Sequence, residues 1–220
     1  MSDKVMLYTH PMSRGSIVRW MLEEIGQPYD TEILTYYGTM KEPAYLAINP
    51  MGKVPAIKHR DVVVTECGAI IAYLADAFPD AGLAPAVTDP KRGIYYRWLF
   101  FSAGCIDPAA TNKSMGFVVP DDKLAMSGYG SVDNVIDTLD GWFSKNDFVL
   151  GDTFSAADIY VGAQINWLTE FKVLEKRPSF EAYVARILQR PSAARAKEID
   201  DKIIAERPEL IPPGMMPESA

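Results

Sequence analysis

The sequence predicts a protein of two domains, a mixed α/β domain followed by an all-α domain. Short apolar runs typical of strands occur only in the first 80 residues. A stretch rich in Pro and Gly follows over 79–90, and beyond it apolar residues recur only at helical spacing. We therefore expect an α/β domain over 1–80, a linker over 81–90, a helical domain over 91–207 and a Pro-rich tail over 208–220.

Within the α/β domain, four strands and two helices are predicted. The strand-like runs are 5–8, 29–34, 54–58 and 62–64. A helix between the first two strands is indicated by four apolar residues on one face: Val18, Met21, Leu22 and Ile25. A second helix is indicated over 67–74. The order is β-α-β, a loop, then β-β-α, which gives a sheet with both parallel and antiparallel strands.

Charge and composition exclude several function classes. The 220 residues carry a net charge of −7 and have no run of Lys or Arg, so we expect no nucleic-acid partner and no membrane partner. No apolar run is long enough to span a bilayer. Two histidines are too few for a multi-His metal site, so no metal is expected. The two cysteines lie far apart without a CxxC motif, and the N-terminus lacks a signal-peptide core, which favours a cytoplasmic location.

The segment 49–56, with the sequence NPMGKVPA, is the most informative one. A proline at the start of a strand donates no hydrogen bond to the sheet. If the bond between Val54 and Pro55 is cis, the backbone N–H and C=O of Val54 face outward and can pair with an extended peptide. The other interpretation is an ordinary trans proline on an edge strand, and the spacing alone does not decide between the two.

A helix start follows the predicted hairpin at Glu66 and Cys67. Its N–H groups and dipole suit a ligand carboxylate, and the Glu66 carboxylate suits a ligand ammonium. The alternative is a capping segment with no ligand, in which Thr65 caps the helix and Glu66 complements its dipole.

The junction of the first strand and first helix offers two candidate hydroxyls. Ser13 either caps the helix or points its hydroxyl at a ligand thiol, which would favour the reactive thiolate. Tyr8 at the strand end is either a second candidate for that task or a core aromatic with a polar tip.

Three segments together resemble the glutathione S-transferase superfamily. They are the β1–α1 junction, the NPMGKVPA segment with Glu66 and Cys67, and the helix start at Ser155 with Asp158 three residues later. That last pair matches a capping box. Similarity extends through the later run from Arg177 to Pro191, so it covers nearly the whole chain.

The resemblance implies a thioredoxin-like N-terminal domain that binds glutathione and a C-terminal helical bundle domain. Val54 would pair with the cysteinyl backbone of glutathione, and Pro55 would be cis. Glu66 and Cys67 would hold the γ-glutamyl end. Lys53, and less surely Lys41, would meet the glycyl carboxylate. Cys67 departs from the family pattern, which usually has Ser or Thr there, so a side-chain hydroxyl contact is lost or weakened.

The resemblance does not decide which residue would activate the thiol of glutathione. The sequence around Ser13 is similar to that of bacterial and fungal members that use a serine. If the chain is instead aligned with the family at Arg19 and Trp20, Tyr8 falls at the position of the tyrosine that other classes use. Ser16 and His10 are further alternatives. Arg14 is either a stabiliser of the thiolate charge or a surface arginine.

The resemblance also implies a pocket for a small hydrophobic electrophile. Its candidate residues are apolar, aromatic or sulfur-containing with one serine: Met12, Tyr36, Tyr37, Tyr95, Trp98, Ser102, Cys105, Met115 and Phe117.

The expected function is that of a glutathione transferase, with glutathione as cosubstrate and peroxidase activity as an extension. One alternative is a glutathione-binding or interaction module without catalysis. Another is a glutathione-dependent thiol-disulfide oxidoreductase, against which the lack of a cysteine at the β1–α1 junction argues. The family further implies a homodimer.

Overall fold

The structure, a computed structural model, describes residues 4–212. The chain divides into two compact units. One unit comprises the residues up to Leu74 together with those from Pro191 onward, and the other is Ala75–Arg190. The predicted fold class is confirmed: a four-stranded mixed sheet forms a thioredoxin-like domain, and an all-helical domain follows it.

The sheet of the first unit has the strand order β2-β1-β3-β4. Its strands are β1 (Val5–Thr9), β2 (Tyr29–Ile33), β3 (Ala56–His59) and β4 (Val62–Thr65). β1 is parallel to β2, while β3 is antiparallel to both β1 and β4. The third strand begins two residues later than the sequence predicts, because Pro55 has no N–H for the ladder.

Within the described residues, four α-helices lie wholly or mostly in the first unit. They are α1 (Gly15–Ile25), the short α2 (Pro43–Leu46), α3 (Cys67–Ala77), which extends past the unit boundary, and α9 (Pro191–Glu206). Of the apolar face predicted for α1, Val18, Met21 and Leu22 are buried and Ile25 is half-buried. Gly26 ends the helix with a φ of 74°, and its N–H donates to the carbonyl of Leu22.

The last helix departs from the predicted domain boundaries, since α9 packs on α1 in the first unit rather than with the helical unit. Arg19 of α1 donates to the carboxylate of Asp200 at 2.8 Å, and both residues are buried. The indole of Trp20 donates to the hydroxyl of Ser192 at 3.2 Å. Burial raises the pKa of Asp200 to about 6, against the opposing charge of Arg19. This contact makes the C-terminal segment part of the first unit.

The second unit is helical. Its α-helices are α4 (Lys91–Phe101), α5 (Asp107–Ser114), α6 (Val132–Phe143), α7 (Ala156–Glu170) and α8 (Pro178–Leu188), with a π-helical turn at Ser102–Ile106. Trp98 packs against Trp142 and Phe143, and the ring of Phe143 stacks on Tyr183 with centroids 3.8 Å apart. These aromatic contacts form the centre of the helical core.

The predicted capping box at the start of α7 is present. The carboxylate of Asp158 accepts the N–H of Ser155 at 2.8 Å, and it also accepts the N–H of Val149 at 2.8 Å and the hydroxyl of Tyr183 at 3.0 Å. Asp158 is fully buried, and burial raises its pKa to about 6. Asp158 therefore caps α7 and also links it to the loop at Val149 and to α8 through Tyr183.

The predicted Pro-rich tail falls partly on the described residues. Pro208–Leu210 form one 3₁₀ turn, with the N–H of Leu210 donating to the carbonyl of Arg207 at 3.0 Å. The rest of the predicted tail, from 213, lies outside the described residues.

Replacement of Asp158 by Ala is expected to lower the free energy of unfolding by about 3 kcal/mol, because it leaves the buried N–H groups of Val149 and Ser155 without their acceptor. Chemical denaturation measures this change. The matched control is Asp152→Ala, an exposed acid nearby, which should change stability little. Equal midpoints for Asp158→Ala and the unmodified protein would contradict this account of Asp158.

Candidate functional site

Strand register brings the three predicted ligand-binding segments to one edge of the sheet. Tyr8 near the end of β1 lies opposite Ala56 at the start of β3, and Ala56 lies opposite Thr65 at the end of β4. The β1–α1 loop, the Val54–Pro55 turn and the start of α3 at Cys67 therefore leave the sheet at the same edge.

The peptide bond between Val54 and Pro55 is cis, as the resemblance implies. Because β3 begins at Ala56, Val54 precedes the paired part of the strand. Its backbone therefore lies outside the described ladder between β1 and β3.

The turn before Val54 is held by two side chains that the sequence analysis did not select. Asn49 donates through its amide nitrogen to the carbonyl of Lys53 at 2.8 Å and accepts the N–H of Met51 at 3.1 Å. The hydroxyl of Tyr45 donates to the same Lys53 carbonyl at 2.6 Å. Burial raises the pKa of Tyr45 to about 12, so the phenol keeps its proton at neutral pH. An Asn-Pro pair followed by Gly is a turn signal, but it does not show which carbonyl the Asn side chain would bind.

Gly52 and Lys41 complete this turn. Gly52 has a φ of 57°, and a Cβ there would lie 2.8 Å from the carbonyl oxygen of Met40, so the position requires Gly. The ammonium of Lys41 donates to the carbonyl of Gly52 at 2.8 Å. Lys41 thus stabilises the loop, whereas the Lys53 residue is exposed next to Val54.

Glu66 has a backbone conformation that is rare for a residue with a side chain. Its φ is 66°, in the left-handed region, and its carbonyl accepts the N–H of Ile70 at 2.9 Å as α3 begins. Such a conformation costs about 1–3 kcal/mol and is typical of ligand-binding sites. Cys67 is buried at the first position of the helix, where backbone N–H groups have no acceptor within the helix.

Ser13 organises the β1–α1 loop. Its hydroxyl donates to the carbonyl of His10 at 2.6 Å and accepts the N–H of Gly15 at 2.9 Å. Ser13 is half-buried, and its hydroxyl would have to turn from the His10 carbonyl to donate to a ligand. Ser13 thus binds the N–H of the first residue of α1, although Arg14 is the residue that directly precedes the helix. The hydroxyl of Ser16 donates to the Ser13 carbonyl at 2.9 Å.

Tyr8 lies in an apolar cluster on one face of the sheet with Leu34, Met40, Tyr45 and Ala56. Burial, and to a smaller degree the charge of Glu32, raises the pKa of its phenol. This environment is that of a core aromatic.

The remaining polar candidates of the loop differ in exposure. His10 is buried, and its Nδ1 accepts the N–H of Met12 at 3.1 Å. The hydroxyl of Tyr36 donates to the Met12 carbonyl at 2.6 Å, and burial raises the pKa of this tyrosine. Arg14 is exposed at the residue before α1.

Three residues assigned to the electrophile pocket belong instead to the core of the helical unit. Tyr95, Trp98 and Ser102 have at most 1% of their surface exposed, and the hydroxyl of Ser102 donates to the side chain of Gln164. Helical periodicity does not distinguish a buried core face from a pocket wall, which explains this error.

The other pocket candidates retain some exposed surface. Met12, Tyr36 and Cys105 are half-buried, and burial raises the pKa of Cys105. Met12 lines a cavity of about 400 Å³ that also contacts Pro11 and the C-terminal part of α9. Largely exposed side chains make up the rest of the set: Tyr37, Met115 and Phe117.

Two general features of the described residues concern metals and membranes. Within 4–212, no group of three or more His, Cys, Asp or Glu side chains is arranged to hold a metal ion. Over the same range, every helix is too short or too polar to cross a bilayer.

Comparison with known proteins agrees with this geometry. The model of the glutathione S-transferase N-terminal domain matches residues 13–77, and that of the C-terminal domain matches 101–191. A glutathione S-transferase of Hyoscyamus muticus is 29% identical over an alignment of 172 residues that covers 73% of this chain and 81% of that protein.

Solved structures show the same relationship. A sphingomonad glutathione S-transferase in complex with glutathione is 28% identical with a TM-score of 0.73, and the match covers 89% of this chain and 98% of that one. A Phanerochaete chrysosporium glutathione transferase in complex with oxidised glutathione is 25% identical with a TM-score of 0.77, covering 92% and 98%. The two domain models, the curated relatives and the shared fold show that the chain belongs to the glutathione S-transferase superfamily.

Proposed function

We propose that the protein is a glutathione transferase that binds glutathione at the described sheet edge and activates its thiol through Ser13. The observation that carries the proposal is the convergence of the cis Val54–Pro55 turn, the left-handed Glu66 and the Ser13 loop at that edge. Relatives with glutathione bound support the choice of ligand.

Glutathione would bind as an added strand. The cysteinyl backbone pairs with the N–H and C=O of Val54, and the γ-glutamyl end meets the Glu66 carboxylate and the start of α3 at Cys67. Lys53 is exposed beside the turn and supplies a cation for the glycyl carboxylate. Lys41 is a weaker candidate for that contact because its ammonium already binds the Gly52 carbonyl.

The chemistry requires a thiolate. In the proposed step the Ser13 hydroxyl turns from the His10 carbonyl and donates to the glutathione sulfur, while the thiol proton leaves to solvent. The thiolate attacks a soft electrophile, for example the ring carbon of an aryl halide. A carbon–sulfur bond then forms as halide leaves. Arg14, exposed at the start of α1, adds positive charge near the site.

The acceptor would contact the half-buried side chains of Met12 and Tyr36. Both border the Ser13 loop, and Met12 also faces the cavity beside α9. A flexible thioether and an aromatic ring are side chains that suit varied apolar electrophiles. Hydroperoxides are a second class of substrate that the same thiolate would attack, which corresponds to the peroxidase activity expected above.

We also propose a cytoplasmic homodimer. Apolar side chains remain exposed in both units, among them Met51, Val62 and Val63 in the first, and Tyr96 and Phe100 in the second. In the proposed dimer, part of this exposed apolar surface would be covered by the second copy.

Ser13→Ala is expected to raise the pKa of the bound glutathione thiol and to lower kcat/KM with an aryl halide about a hundredfold, because a donor to the sulfur is lost. The pH dependence of conjugation measures both effects. Tyr8→Phe and Ser16→Ala are matched controls that remove neighbouring hydroxyls and should change the rate little. An unchanged rate in Ser13→Ala would show that Ser13 does not activate the thiol.

The same assays distinguish the two alternative functions. Tight glutathione binding by the unmodified protein without conjugation of any electrophile would favour a binding module. Glutathione-dependent reduction of a disulfide that exceeds conjugation would favour an oxidoreductase.

Asn49→Ala should weaken glutathione binding about tenfold, because the turn that presents Val54 loses its contacts to Lys53 and Met51. Isothermal titration calorimetry measures the dissociation constant. Asn49→Asp keeps an acceptor for the Met51 N–H but loses the donor to Lys53, so we expect an intermediate effect. Affinity equal to that of the unmodified protein in Asn49→Ala would contradict a role for this turn in binding.

Light scattering coupled to gel filtration is expected to give twice the mass of one chain. Replacing exposed Met51 by Glu should shift the protein toward the monomer if this side chain lies in the proposed interface, since the change would place a charge there. A monomeric unmodified protein at all accessible concentrations would overturn the proposed dimer.

A further inference from the structure

His10 is the centre of the β1–α1 loop. Its carbonyl accepts the hydroxyl of Ser13 at 2.6 Å and that of Thr9 at 3.4 Å, while its ring Nδ1 accepts the N–H of Met12 at 3.1 Å. One face of the ring lies against Tyr36, with centroids 4.5 Å apart. The backbone and side chain of His10 together therefore fix the path of the chain up to Ser13.

The ring of His10 also reaches the C-terminal turn. Because Nδ1 accepts a hydrogen bond, the hydrogen-bond network assigns the proton to Nε2. The ring hydrogen-bonds to the backbone of Leu210, in the 3₁₀ turn that follows α9. Burial lowers the pKa of His10 below its ordinary value; the hydrogen bond to Leu210 opposes this effect, and the nearby charge of Arg207 adds to it.

The C-terminal turn is itself firmly held. Leu210 is buried, and its N–H donates to the carbonyl of Arg207. α9, directly before this turn, is fixed to α1 by the buried pair of Arg19 and Asp200. Residues far apart in sequence thus meet at the loop that carries Ser13.

We propose that His10 is a positioning residue, which uses the C-terminal turn at Leu210 as an anchor to hold the Ser13 hydroxyl where it can donate to the bound thiol. The inference rests on the proposed function of Ser13. His10 does not contact the sulfur in this account. It sets the position of the Ser13 Oγ through its own carbonyl and through Met12, and thereby makes the segment after Pro191 part of the thiol-activating apparatus.

His10→Asn separates the two ring contacts. The Asn carbonyl oxygen can replace Nδ1 as acceptor for Met12, but the shorter side chain does not reach Leu210. We expect a higher pKa of the bound glutathione thiol and a kcat lower by about tenfold below that pKa, with the KM for glutathione changed less than about twofold. The thiolate absorbance of the glutathione complex, titrated with pH, measures the pKa directly.

Two further variants keep the test decisive if His10→Asn folds poorly. His10→Gln can retain a donor toward Leu210 and should recover part of the loss. Leu210→Ala leaves the loop sequence intact but loosens its anchor, and it should raise the thiol pKa in the same direction. Circular dichroism and glutathione affinity confirm that each variant is folded.

The outcomes separate this inference from the proposed function. If Ser13→Ala raises the thiol pKa and the folded His10 and Leu210 variants do not, positioning by His10 is wrong and the role of Ser13 stands. If Ser13→Ala leaves the thiol pKa unchanged, both the Ser13 assignment and this inference fail. Variants that lose only thermal stability, with an unchanged thiol pKa, would show that His10 is purely structural.

Discussion

The antiparallel pairing of β3 with β1 and β4 is the constraint on which the site depends. This pairing places the end of β1, the start of β3 and the end of β4 at the same edge of the sheet. A slip of one residue would turn the side chains of β3 to the opposite face. The register therefore sets the spacing between the Val54 backbone, Glu66 and the Ser13 loop, and the binding proposal follows from it.

The segments of the site could be predicted from the sequence because each has local chemistry that a short motif shows. The Val54–Pro55 turn and the start of α3 at Cys67 are of this kind. Outside the site, the capping box of α7 could be predicted in the same way. The supports of those segments could not be predicted in the same way. Asn49, Tyr45 and His10 act through hydrogen bonds in irregular loops, where no periodicity shows which group a side chain will meet.

Two errors have one physical origin. Amphipathic spacing shows that a helix face is buried but not what buries it. The prediction from the sequence therefore grouped α9 with the other C-terminal helices. In the structure, the pair of Arg19 and Asp200 joins α9 to α1. Equally, the apolar face of α4 with Trp98 became a predicted pocket wall, whereas it packs into the core of the helical unit.

The central claim is that glutathione binds along the Val54 edge with its sulfur beside Ser13. A negatively charged chain must then hold an anionic ligand by local backbone groups and nearby lysines rather than by its overall field. A crystal structure with glutathione bound tests this most directly. The account predicts the cysteinyl backbone paired with Val54 and the sulfur within hydrogen-bond distance of the Ser13 Oγ. A sulfur bound at Tyr8, or glutathione bound away from this edge, would contradict it.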